Sequence, residues 1–408
     1  MNKQNKLAVM PVRRLLYTMS GPLALSLLVQ SLYNIVDSIF VARLSEEALT
    51  ATSLAYAVQM LMIALSVGTA VGLNALLSRR IGAGQVEAAC RAATTGLWLT
   101  LISALIFVVG GLFSNTIAEW MTDNATLRTL CADYLTIVML GCWGLFLQTY
   151  AQRLLQAVGD TVLSMVSLLI GAGVNIVLNP LLIFGYFGLP ALGIRGSALA
   201  TVIGQTLGAL TAILFNRRCN PLIHVRLRGY RFVWKDVAAI YRVGLPTIVT
   251  QALGSIMTFA VNALLIVVSP TAVAFFGVYY KLQNFLMMPL NGLGQAAIPI
   301  VGYNYGSGDH ARIHATWRVL IPSGVGLALI GTTLFLLLPE QLLLLFSADA
   351  EMLALGVAAL RIIAVTFVPA AVTMLCGYFA SGLGNGVVNM FGSALRQLSP
   401  CARDGVAA

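Results

Sequence analysis

Charge is what this sequence has least of. Only 9% of its 408 residues are Asp, Glu, Lys or Arg, against roughly a quarter in an ordinary soluble domain, too few to coat a water-exposed surface. That scarcity excludes a soluble globular enzyme. Acids are rarer still than bases, 14 to 24, and the three histidines (His224, His310, His314) all fall in polar loops. His310 and His314 have metal-compatible spacing but read as plain loop residues, and no metal site is expected. The six cysteines (Cys90, Cys131, Cys142, Cys219, Cys376, Cys401) show no CxxC spacing and read as reduced structural thiols. No GxxxxGK[ST] loop occurs, nor any pair of carboxylates or any histidine inside an apolar stretch. Nucleotide-driven pumping and catalysis are therefore not expected, and no cofactor is called for.

What is present is apolar sequence, 59% of the chain, in stretches of about 20 residues without strict alternation. This pattern predicts an all-α polytopic membrane protein rather than a β-barrel. Spans are expected at 21–44, 48–76, 92–114, 128–151, 161–184, 193–215, 243–268, 272–298, 316–338 and 353–378. Their separators, such as Ser45-Glu46-Glu47 and Gly306-Ser307-Gly308-Asp309, carry turn chemistry. Lys3, Lys6, Arg13 and Arg14 lead into a first span long enough to stay in the bilayer as its own insertion signal. Of the 24 basic residues, 17 fall in the N-terminal tail and the even-numbered loops, so the N-terminus is expected in the cytoplasm. The basic linker 216–242 is read as topogenic, with the lipid bilayer and no nucleic acid as partner.

That linker divides two related halves. One constant offset, to within a residue, carries Asp37 onto Asn262, then Gly68, Gly82 and Gly84 onto Gly292, Gly306 and Gly308, and then Gly159, Val162 and Met165 onto Gly384, Val387 and Met390. A unit of six helices, an even number, gives parallel repeats related by an axis along the membrane normal, an arrangement typical of secondary transporters. The expected domains are 1–215 (a tail and six helices), the linker 216–242, 243–398 (four helices and a stub of the fifth) and an unrelated polar tail at 399–408. The second pseudo-symmetric six-helix lobe is thus expected to lack its last two helices.

Asp37 is the one acid well inside a span. A carboxylate there must carry a proton or be paired. At 1.5 Å rise per residue Asp37 lies roughly 22 Å, and Asn175 roughly 21 Å, along their helices from the same face. Asn179, one turn on, and Thr201, on the next helix, fall near the same depth. A carboxylate, two amides and a hydroxyl can hold either a proton or a hard cation. Pro180 removes a helix donor beside Asn179, and a bend is expected there. In the second half Lys281 lies about ten residues into its span, too deep to snorkel comfortably, and is expected to face a cavity between the halves near Gln251 or Asn262, with Asn284 beside it.

Gly-Pro-Leu-Ala at the start of the first span, Ser-Leu-Tyr-Asn-Ile-Val-Asp37-Ser-Ile-Phe-Val-Ala-Arg, Gln156-Ala-Val-Gly159-Asp160, Gly173-Val-Asn175-Ile-Val-Leu-Asn179-Pro-Leu-Leu-Ile-Phe-Gly185, Gly196-Ser-Ala-Leu-Ala-Thr201 and Pro289-Leu-Asn-Gly-Leu-Gly stand together. As a set, covering about residues 15–398, they resemble the MATE (multidrug and toxic compound extrusion) family, nearest its DinF-like bacterial branch. The resemblance implies a monomeric inner-membrane transporter of twelve helices in two lobes that exports organic cations or other amphiphiles in exchange for H+ or Na+. It maps the family's coupling residues onto Asp37, Asn175 and Thr201. Separately from the resemblance, Tyr33, Asn34, Gln251, Asn262, Lys281 and Asn284 are candidates to line the substrate cavity. Where the family often has Asp, this chain has Asn179, which favours proton over sodium coupling. The alternatives are a flippase for lipid-linked precursors, for which Lys281 is the lone evident cavity cation, and a non-transporting remnant.

Overall fold

In hydrocarbon a backbone has no hydrogen-bond partner but itself, and the long Leu, Ala, Val and Gly runs meet that demand as helices. The computed structural model describes residues 6–393 apart from 189, 227–229, 231, 345 and 347–349. The side chains of 255, 256, 259, 260, 262, 263, 266–268, 270, 272 and 273 also lie outside the described set, as does the polar tail 399–408. All regular structure among the described residues is helical: α1 (Lys6–Val9), α2 (Val12–Ala42), α3 (Glu46–Gly82), α4 (Val86–Gly111), α5 (Ser114–Met121), α6 (Ala125–Leu140), α7 (Trp143–Ala157), α8 (Thr161–Phe184), α9 (Ile194–Cys219), α10 (Trp234–Val268), α11 (Pro270–Gly306), α12 (His310–Leu337), α13 (Pro339–Leu344), α14 (Ala350–Ala364) and α15 (Phe367–Gly382). Residues 387–393, within the expected stub, are helical as well.

Seven single helices and two bent pairs among the described residues are long and apolar enough to cross a membrane, and α10, at 35 residues, is a further long helix. Two expectations are corrected. The spans at 128–151 and 353–378 are each broken, by 44° between α6 and α7 and by 48° between α14 and α15. A Cβ on Gly141, at the first break, would meet Val202 of α9, so packing rather than hydropathy sets the bend. Several helices also outrun their apolar stretches. α3 begins at a Ser45 cap, whose hydroxyl accepts from the Ala48 N–H at 3.0 Å, and continues through Arg79 and Arg80 in its last turn. Such charged last turns lie outside the hydropathy window yet suit the negative end of the helix dipole. Pro180 sits inside α8, which continues for four residues beyond it.

The repeat is visible in the packing. The shift that carries Gly82 onto Gly306 also carries the start of α5 onto that of α13 and the start of α7 onto that of α15, within a residue. Glycines bring α3 and α11 together at their C-terminal ends. A Cβ on Gly82 would collide with the Tyr303 carbonyl oxygen, and one on Gly306 with the Arg79 carbonyl oxygen. Higher up, a Cβ on Gly68 would strike Ile248 and one on Gly292 would lie 2.8 Å from Ala24. Within each pair the same shift maps one approach onto the other, so one contact is made twice about a common axis. The starts of the first helices cross over. Leu15, Leu16, Met19 and Leu23 of α2 belong to the apolar core of α11, α12, α14 and α15, while Ile240 of α10 joins the core of α3, α4 and α7.

An ion pair fixes the start of α10, ahead of the apolar span at 243. Asp236, 1% exposed, accepts from Arg80 at 2.5 Å and Arg91 at 3.3 Å. Burial pushes its carboxyl up, but the two guanidiniums outweigh this and hold it below the usual carboxylate range.

Gly82→Leu or Gly306→Leu should lower stability in detergent by about 1–3 kcal/mol, the usual cost of overpacking, as measured by thermal unfolding. Gly326→Ala, where a Cβ meets nothing within 4 Å, should not. Because the native pKa of Asp236 is depressed, its contribution is complete above the unfolded value near 3.9 and is lost as pH falls through the lower native value. Asp236→Asn should therefore destabilise at pH 7 by about 3 kcal/mol, the lower end for breaking a buried pair. The melting difference from the parent should close below about pH 4.

Candidate functional site

Asp37 lies in the second half of α2, where that helix leaves the second unit's core and packs on α8. Its Oδ1 accepts from Asn179 Nδ2 and, at 2.9 Å, from Ser197 Oγ. One turn away Asn175 Nδ2 donates to Thr201 Oγ1 at 3.1 Å. Asn175 and Asn179 are four residues apart on α8, as are Ser197 and Thr201 on antiparallel α9, so the two polar pairs stack as adjacent rungs. Four of these five side chains are buried, and Asp37 is half-buried.

The rungs need close helices. A Cβ on Gly204 of α9 would sit 2.7 Å from the Gly171 oxygen and 3.0 Å from Asn175 Cβ, and one on Gly171 would sit 2.8 Å from the Gly204 oxygen. Glycine at both positions lets α8 and α9 approach to the distance at which an asparagine can reach a threonine.

Two acceptors in this group are unused. Asn175 Oδ1 and Asn179 Oδ1 are buried without a hydrogen-bond partner, a deficit that costs about 1–3 kcal/mol each. Tyr33 on α2 and Tyr134 on α6 lie within electrostatic reach of the Asp37 carboxylate, and Gln59 donates to the Tyr134 hydroxyl at 3.1 Å. The donor set around Asp37 is thus all oxygen and amide, with a single carboxylate. Among the described residues no group of three or more His, Cys, Asp or Glu could hold a metal. Chemically, a carboxylate held by an amide and a hydroxyl suits either a proton or a hard cation.

The structure gathers Asp37, Asn175, Asn179 and Thr201, and adds Ser197. The signal for Ser197 was its place one turn before Thr201 on the same helix face. Asn34 is exposed one turn before Ser38, whose hydroxyl bonds the Asn34 carbonyl. Lys281 and Asn284 are exposed on one face of α11, apart from the hydrogen bonds described around Asp37, and Gln251 is exposed on α10. The Asn262 side chain lies outside the described residues. Two further aromatics escaped the sequence reading: Tyr56 of α3 lies within electrostatic reach of Tyr280 of α11, and the two are equivalent positions of the repeat. The repeat offset was the signal that could have paired them.

The sequence profile of the MatE family matches residues 22–181 and 246–399, two stretches whose starts are again separated by the repeat offset. The chain is 25% identical over 345 residues to the multidrug export protein MepA of Staphylococcus haemolyticus, an alignment covering 84% of this chain and 75% of that protein. It is 26% identical over 360 residues to the FAD transporter of Shewanella oneidensis, covering 86% and 78%. Among solved structures it superposes on an outward-facing multidrug resistance MATE family transporter of the MOP superfamily with a TM-score of 0.89 at 25% identity, over 98% of this chain and 89% of that one.

Gly204→Leu should push α8 from α9 and break the Asn175–Thr201 rung. Thermal unfolding should report a loss of about 1–3 kcal/mol, while Gly173→Ala on α8, where a Cβ meets nothing within 4 Å, should leave stability at or above the parent's.

Proposed function

This chain belongs to the MatE family and is a multi-pass membrane transporter, and from that premise we propose that it is a secondary antiporter that exports amphiphilic organic compounds, organic cations foremost, in exchange for protons taken up at Asp37. Asn175, Asn179, Ser197 and Thr201 serve the coupling carboxylate. In this reading the protein sits in a bacterial inner membrane with the linker and the N-terminus on the cytoplasmic side, an orientation that the bias of basic residues supports.

The observation that carries this reading is the pairing of Asp37 with an amide whose oxygen is idle. Ionised, Asp37 accepts from Asn179 Nδ2 and Ser197 Oγ. Protonated, it becomes a donor and needs an acceptor. A half-turn of the Asn179 amide presents Oδ1, at present buried and unpartnered, to that proton. One proton thereby changes how α8 and α9 grip α2, and α2 reaches into the cores of both units. Coupling follows if proton and substrate favour different arrangements of the units, since a ligand shifts an equilibrium only by its differential affinity. A single carboxylate among neutral oxygens suits a proton better than a sodium ion, which here gains one anionic ligand.

Tyr33 and Asn34 on α2, Tyr56 on α3, Gln251 on α10 and Tyr280, Lys281 and Asn284 on α11 supply the substrate surface, in which aromatic faces attract organic cations. Lys281, exposed on that stretch of α11, favours a second reading in which the substrate carries negative charge; one relative bears the name FAD transporter.

Proteoliposomes given a pH gradient should drive uptake or release of a fluorescent organic cation, and a sodium gradient should not. Asp37→Asn should reduce transport to the level of protein-free liposomes, and Asn179→Asp should add a response to sodium. Asp37→Asn moving substrate as well as the parent would overturn the coupling role.

A further inference from the structure

The last turn of α3 and the first turns of α10 border an open cavity of about 290 Å³ lined by Arg79, Lys235, Ala238, Ala239 and Arg242. The four α10 residues follow i, i+3, i+4, i+7 spacing and share one face. Two alanines thus form a floor between two cations, with a third cation facing them from α3. The turn after α15 packs nearby: a Cβ on Gly384 would collide with Arg79 Nη1, and one on Gly386 would lie 2.8 Å from Val243 Cα. The cavity is therefore built by segments of both units.

Among the described residues no ion pair offsets its charge. Arg79 is half-buried and lies within electrostatic range of Arg80 and Arg242. Arg79, Lys235 and Arg242 form none of the ion pairs found among the described residues, and Asp236, next to Lys235 in sequence, is committed to Arg80 and Arg91 on another face of α10. A topogenic role needs cations in a loop; it does not need three of them around a small-residue floor between two helices.

The surroundings point to lipid. Phe232 and Trp234, immediately before Lys235, are exposed and meet edge to face at 5.1 Å. Trp234 is 75% exposed, and an exposed indole beside cations is typical of headgroup depth. Guanidiniums clamp phosphate oxygens through paired N–H donors, and an ammonium adds a point charge.

We propose that this cavity binds the phosphate of an anionic phospholipid headgroup, which bridges Arg79 of α3 to Lys235 and Arg242 of α10 and so holds the two units together at this face. Parting the units here separates those cations, so the bound headgroup favours the arrangement seen in this structure. The site is independent of the coupling ion and of the substrate.

The test uses the full chain in detergent, followed by native mass spectrometry and thermal unfolding with phosphatidylglycerol, phosphatidylcholine or inorganic phosphate. The expected result is one tightly retained phosphatidylglycerol and a raised melting temperature that phosphatidylcholine and inorganic phosphate do not reproduce. Lys235→Gln/Arg242→Gln should lose both effects, and so should Ala238→Glu, which places a carboxylate in the cavity without removing a cation. Arg217→Gln/Arg218→Gln, at exposed positions in the last turn of α9, should keep them. Equal loss in that control would make the effect diffuse surface charge, and a full shift with inorganic phosphate would make the ligand a free anion; either overturns the proposal.

Discussion

The two units meet backbone to backbone. Where the end of α3 crosses the end of α11, Gly82 faces the Tyr303 carbonyl and Gly306 faces the Arg79 carbonyl, with no room for a side chain at either place. Everything between the units takes its geometry from this contact. It goes with the close approach of α10 to α3 at Gly68–Ile248 and of α2 to α11 at Gly292–Ala24, and it brings Arg79 beside Arg242 and Gly384. Membrane helices gain little from burying apolar surface against one another, because lipid tails are as apolar as leucine, so such close small-residue contacts supply the attraction. The opposite end of α11 is more open: Gly277 has nothing within 4 Å of a built Cβ.

The Asp37 group uses the same device inside the first unit. Gly171 and Gly204 draw α8 and α9 together, and the polar rungs occupy the level just beyond. The two buried amide oxygens without partners are a local cost. Under the proposed mechanism that cost belongs to one protonation state and is relieved in the other, which is what a switch between two states requires.

Much of this was legible in the sequence because hydrocarbon makes polarity conspicuous. Asp37 stood out as a lone acid in an apolar run, and Asn175 and Asn179 stood out for the same reason, at matching depth. Ser197 did not, since a serine in an apolar helix usually bonds its own backbone, as Ser26 and Ser38 do here. The long spans followed from run length. The breaks at Gly141–Cys142 and Val365–Thr366 did not, because Gly141 bends against Val202, a neighbour invisible to a hydropathy window. Nor did Arg80 and Arg91 announce a partner: they read as topogenic charge, and the helix crossing that brings Asp236 to them is tertiary.

α2 has a mechanical consequence. Its first turns, from Leu15 to Leu23, are embedded in the second unit, and Asp37 is held by the first. The intervening rod is about 21 Å long from Leu23 to Asp37. A sideways shift of about 2 Å at the carboxyl, with the base fixed, corresponds to a tilt of roughly 5° over that rod. The same helix contains Pro22, which lacks the N–H that would bond the turn before it, just where the embedded part ends. The stiff arm therefore adjoins a point where the helix lacks a backbone hydrogen bond, and under the proposed mechanism a displacement at Asp37 would be delivered as rotation at Pro22 rather than spread along the chain.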